Sequence, residues 1–117
     1  RTDVGRIGAS TPRPVRGDRV MFRRRFADLV SRQLDVFAED EAGGLLAEVQ
    51  EMKEKYDGAG RDHAEEAYGD YMDVVDAVKD ALADMRDRFA RTLDDDATAE
   101  YESVFERAAR RRWRWLS

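Results

Sequence analysis

The chain has 117 residues, 40% of them charged and 42% hydrophobic, which fits one domain with its own core and excludes a wholly disordered chain. Cysteine is absent and His63 is the single histidine, so disulfides, thiolate metal sites, cysteine nucleophiles and poly-histidine zinc sites are excluded. No apolar run approaches the roughly 18 residues that a membrane span needs and no signal peptide is visible, so the expected location is the cytoplasm.

The opening RTDVGRIGASTPRPVRG holds Pro12 and Pro14, together with Gly5, Gly8 and Gly17. It has no helical or strand period, so residues 1–17 read as a flexible basic arm and residues 18–117 as a single helical-bundle domain. The composition changes at Met21, the first methionine. That fits either a translation start there or an ordinary loose N-terminus.

Four helical segments follow. The first, over 18–41, carries Phe22, Phe26, Leu29, Val30, Leu34 and Phe37 at the i, i+3, i+4, i+7 spacing of one buried stripe. The second, over 44–56, carries Leu45, Val49, Met52 and Tyr56. At about 100° per residue these two stripes point roughly 110° apart. Gly43 and Gly44 sit at the mismatch, and glycine is costly inside a helix. A break or sharp kink is expected there. The alternative is one bent helix forming a long hairpin with the third segment.

The third segment, over 61–93, follows the glycines of "YDGAG". Ala64, Tyr68, Tyr71, Val75, Val78, Leu82, Met85 and Phe89 alternate steps of four and three, a heptad seam. Gly69 reads as a tolerated helix glycine. Asp94, Asp95 and Asp96 form a turn-and-cap cluster. The fourth segment, over 97–115, carries Ala97, Tyr101, Val104, Phe105, Ala108 and Trp115 on one side. The expected fold is all-α: an antiparallel three- to four-helix bundle with a long heptad-patterned third helix.

Candidate chemistry is sparse. Asp73, Asp76, Asp80, Asp84 and Asp87 form a carboxylate row opposite the seam. A row along a rod spreads its oxygens where a calcium site converges them, so it reads as a solvated face. His63 stands in His-x-x-Glu order with Glu66. A carboxylate di-metal bundle needs Glu-x-x-His from two helices. "GAG" at 58–60 lacks the lysine and hydroxyl of a phosphate loop. The four tyrosines fall on or beside the stripes and are expected to pack with the hydroxyl at the rim. No catalytic residue, metal site, cofactor or small-molecule substrate is expected.

Charge is the most informative feature. Residues 1–32 hold nine Arg against three Asp, residues 33–100 seven Lys or Arg against twenty-one Asp or Glu, and residues 101–117 five Arg against two Glu. The chain is an acidic body with two basic ends. In an up-down-up-down bundle those ends share a pole, joining Arg19, Arg23, Arg24 and Arg25 to Arg110, Arg111, Arg112, Trp113, Arg114 and Trp115. Cations suit a helix C-terminus but oppose the dipole at an N-terminus, so the first cluster is expected either to pair with acidic residues of the body or to face a partner.

These features point to a non-catalytic protein–protein interaction or assembly module. The alternative is binding of nucleic acid or an anionic membrane surface through the Arg/Trp pole, although a sequence pI near 5.0 argues against a dedicated nucleic-acid binder. The expected partner is a second copy, or else another protein. The third segment is about 50 Å long at 1.5 Å per residue, longer than either short segment can cover. A homodimer through Tyr71, Val75, Val78, Leu82, Met85 and Phe89 is therefore expected, although short helices stacked end to end along the long one would also close the core.

Overall fold

A computed structural model describes the backbone of residues 12–117 and the side chains from residue 25 onward. Among the described residues every element is helical. Helix α1 spans Pro12–Asp40, α2 Leu45–Asp57, α3 Ala64–Ala90 and α4 Asp95–Arg112, followed by a 3-10 turn over Arg114–Leu116. The architecture is an all-α bundle.

Helix α1 begins inside the segment expected as an arm. Pro12 and Pro14 fall in its first turn, where backbone N–H groups have no intrahelical acceptor and proline loses nothing. The rest of that arm, residues 1–11, lies outside the described residues.

The chain breaks at 41–44, as the mismatched stripes require. Glu41 manages the break. Its backbone carbonyl accepts from the Leu46 N–H (3.0 Å), and its Oε1 accepts from the Leu45 N–H (3.1 Å), satisfying free donors at the start of α2. A Cβ on Gly44 would stand 2.8 Å from that oxygen. Glycine there lets the carboxylate reach the helix start.

The break does not reverse the chain. Phe26 packs on Tyr101 at 5.6 Å between ring centroids and Phe37 on Trp113 at 5.7 Å, so α1 and α4 run parallel. Phe89 packs on Tyr101 at 4.8 Å, and Arg86 is paired with Glu106, so α3 runs antiparallel to both. Tyr56 meets Tyr68 and Tyr71, so α2 and α3 form an antiparallel hairpin. Helices α1 and α2 thus follow one another along α3. Laid end to end, residues 12–57 require about 68 Å at 1.5 Å per residue. The molecule measures 81 × 26 × 19 Å. The bent-helix alternative describes the course of the chain, and the glycine break describes its joint.

Two regions result. In the body, α1, the C-terminal half of α3 and α4 surround Tyr101, which is fully buried among the rings of Phe26, Phe89 and Phe105. Its hydroxyl donates to Gln33 Oε1 at 2.9 Å, the rim hydrogen bond expected of a core tyrosine. Leu116 in the terminal 3-10 turn is also buried. Beyond it, α2 and the N-terminal half of α3 continue as a two-helix hairpin.

The heptad seam lies within this chain. Tyr71, Val75, Val78 and Leu82 are buried, and Met85 and Phe89 are half-buried. Helix α2 covers the N-terminal part, and α1 and α4 cover the rest. The expected association seam is therefore interior. Short helices stacked along the long one close it from Tyr71 to Leu82, while Tyr68 near its N-terminal end is 48% exposed.

Asp94 caps α4 by accepting from the Ala97 N–H at 2.9 Å. Replacing it with alanine is expected to cost about 1 kcal/mol, within the 0.5–2 kcal/mol range of such caps. Urea unfolding followed by circular dichroism measures the loss.

Candidate interaction surfaces

The parallel course of α1 and α4 separates the two basic clusters. Arg25 precedes Phe26, at the Tyr101 level of α4, whereas Trp113 stands beside Phe37. About twelve residues, or 18 Å along the helix, lie between those levels. The single pole expected from an up-down-up-down course does not form, because the chain continues forward at 41–44. The side chains of Arg19, Arg23 and Arg24 lie outside the described residues.

Much of the C-terminal cluster is engaged internally. Arg112 donates to Asp35 Oδ1 at 2.6 Å and lies 5.3 Å over the Trp113 ring. Arg110 reaches Glu106 at 3.5 Å. Trp113 and Trp115 are half-buried against the core, while Arg111 and Arg114 are exposed. Arg110, Arg111 and Arg112 also occupy the last turn of α4, where cations favour the helix dipole. The cluster therefore has a structural role of its own.

The hairpin is the less complete region. Two helices cannot enclose each other's apolar surface, and one flank of α3 remains open. Tyr68 is 48% exposed, and Met72, one turn on, is half-buried. Tyr56 lies against Tyr68 at 5.3 Å and stacks over Tyr71 at 6.3 Å with 7° between planes. Glu65 and Asp76 are exposed on the Met72 side of this flank, and Asp73 stands further round, on the carboxylate row. Val36 is similarly exposed on α1, but a single surface valine is ordinary. The sequence signal for the open flank is the difference in length between α3, with 27 residues, and α4, with 18.

Gly69 lies on the same flank, and a Cβ there would meet nothing within 4 Å. Gly69→Ala is expected to stabilise the chain by about 0.5–1 kcal/mol, the difference in helix cost between the two residues. A loss of stability in urea titration would show that this position is not open.

His63 is exposed at the start of α3, and the cavity beside it is walled by Met52, Lys55, Glu66, Ala67 and Asp70 with no hydroxyl or thiol. A half-open cavity of about 280 Å³ joins Leu82, Phe105 and Leu116 to Lys79, Arg86 and Arg110. In the carboxylate row, Arg88 hydrogen-bonds Asp84 and holds its carboxyl below the usual range, and Arg86 pairs with Asp87. Among the described residues no cluster of three or more His, Asp or Glu is placed to hold a metal, and no helix is long and apolar enough to cross a membrane. No protein-family model, curated protein or solved structure matches this chain.

Proposed function

We propose that the chain is a non-catalytic protein-interaction module, and that the open flank of the α2–α3 hairpin is its docking face. The observation that carries this reading is Tyr68, 48% exposed beside Tyr56 and one turn from Met72, on a helix pair that no third helix covers among the described residues. A half-exposed tyrosine backed by methionine suits a protein contact. Its ring supplies apolar area at low entropic cost, and its hydroxyl stays hydrated until a partner arrives. The exposed carboxylates around it select a partner of positive charge.

A photo-crosslinking phenylalanine analogue at position 68, introduced into the full chain in its native cell, tests this. It is expected to form a covalent adduct of discrete mass. The same analogue at Ser103, exposed on α4, is expected to form none. Equal yields at the two positions, or none at 68, would overturn the reading.

A further inference from the structure

The half-open cavity of about 280 Å³ lies in the valley between α3 and α4, with the terminal 3-10 turn as its third wall. Its floor is apolar: Leu82, Phe105, Ala109 and Leu116 are all buried. Its rim is cationic. Lys79 and Arg86 stand two turns apart on one face of α3, and Arg110 lines the same cavity from α4. An apolar floor with a few convergent polar groups is the usual make-up of a small-ligand site, and this volume is at the small end of such sites.

The charges around the cavity do not cancel. Glu106 is the one carboxylate in its wall, and it is shared: Arg86 pairs with it, and Arg110 reaches it at 3.5 Å. Asp87 also pairs with Arg86. Three cations therefore meet two carboxylates. The charge left over is that of Lys79, which is exposed and makes no ion pair among the described residues, not even with Asp76 one turn back. A single surplus cation at the edge of a buried apolar floor calls for an anion of one charge that also brings apolar surface.

We propose that this cavity binds a small monocarboxylic acid with an apolar body, either a short acyl chain or a single ring. The body lies on Leu82, Phe105 and Leu116, and the carboxylate accepts from the Lys79 ammonium and the Arg110 guanidinium at the rim. One negative charge balances the surplus. A second finds no counter-charge, which selects against dicarboxylates and phosphate esters. A neutral chain of the same length gains the floor but leaves the rim unpaired. Lys79 is about 10 Å along α3 from Met72 at 1.5 Å per residue, so binding here is independent of what covers Tyr68.

Sodium octanoate, kept below its micelle concentration, is the probe, and amide 1H–15N correlation spectra of the full chain are the readout. Titrated into the millimolar range, octanoate is expected to shift the amides of Leu82, Phe105, Ala109 and Leu116 saturably and to leave those of the α2–α3 hairpin in place. Octanol, which has the chain without the charge, and acetate, which has the charge without the chain, are each expected to bind about tenfold more weakly. Lys79→Gln and Arg110→Gln change exposed side chains. Combined, they are expected to weaken octanoate about tenfold, with octanol binding and helicity by circular dichroism unchanged. Phosphatidylglycerol vesicles, which offer an anionic head and apolar chains in a membrane, are expected to leave the chain in the supernatant. No saturable shift with octanoate, shifts spread equally over the hairpin, octanol binding as tightly as octanoate, or a double variant that binds octanoate like wild type would each overturn the proposal. Co-sedimentation with the vesicles that octanoate does not compete away would also overturn it, assigning the cavity to a membrane lipid.

Discussion

Tyr101→Ala is expected to destabilise the protein by about 3–5 kcal/mol, the range for removing a buried aromatic ring. Tyr101 is fully buried and touches the rings of Phe26, Phe89 and Phe105, so it joins α1, α3 and α4 at one point. Tyr101→Phe keeps the ring and removes only the hydrogen bond to Gln33, at a cost of about 1 kcal/mol. Gln33 is half-buried, and water can replace the lost donor.

Alkali probes the same residue. Burial raises the Tyr101 phenol above the usual tyrosine range, partly opposed by the Gln33 hydrogen bond. Its folded-state pKa exceeds the unfolded value near 10, so its contribution is fully present below about pH 10 and is lost as pH rises through the folded pKa. Urea midpoints of the three proteins at pH 7 and at pH 11 measure both effects. A Tyr101→Ala loss under 1 kcal/mol would show that this ring is not the centre of the body.

The helices were legible in the sequence because their stripes are periodic. The Asp94 cluster also marked the start of α4, since an aspartate oxygen meets the Ala97 N–H wherever a helix begins there. The direction of the chain at 41–44 was not legible. A phase mismatch between stripes requires a bend, but it does not say whether the next helix continues or returns. In the structure the helix continues, and the side chain and carbonyl of Glu41 both serve the start of α2. Everything that depended on direction followed from it. The two Arg clusters separate, and α2 lies along α3 to cover the seam that a second copy was expected to fill. The open flank was half-visible in advance, as a long helix with no equally long partner. Its residues were not singled out, because Tyr68 counted as seam and Met72 falls beside the stripe.

Val78→Asp is expected to unfold the protein outright. Val78 has no solvent exposure and lies midway along the buried seam. Removing the valine loses about 1.5–3 kcal/mol of burial. The carboxylate that replaces it must be desolvated or protonated at a further cost of several kcal/mol. Together these approach the whole stability of a small domain, about 5–15 kcal/mol. Leu82→Asp, one turn further, is expected to be milder. Leu82 is also buried, but the cavity at its side is lined by Lys79, Arg86 and Arg110, which can meet a new carboxylate. The pair separates an interior seam from an intermolecular one. If the seam faced a second copy, Val78→Asp would leave a helical monomer and remove only association. With the seam closed inside the chain, helicity itself is lost at every protein concentration, and Leu82→Asp retains more of it. Far-UV circular dichroism of both variants beside wild type decides this, and a fully helical Val78→Asp monomer would return the seam to the surface.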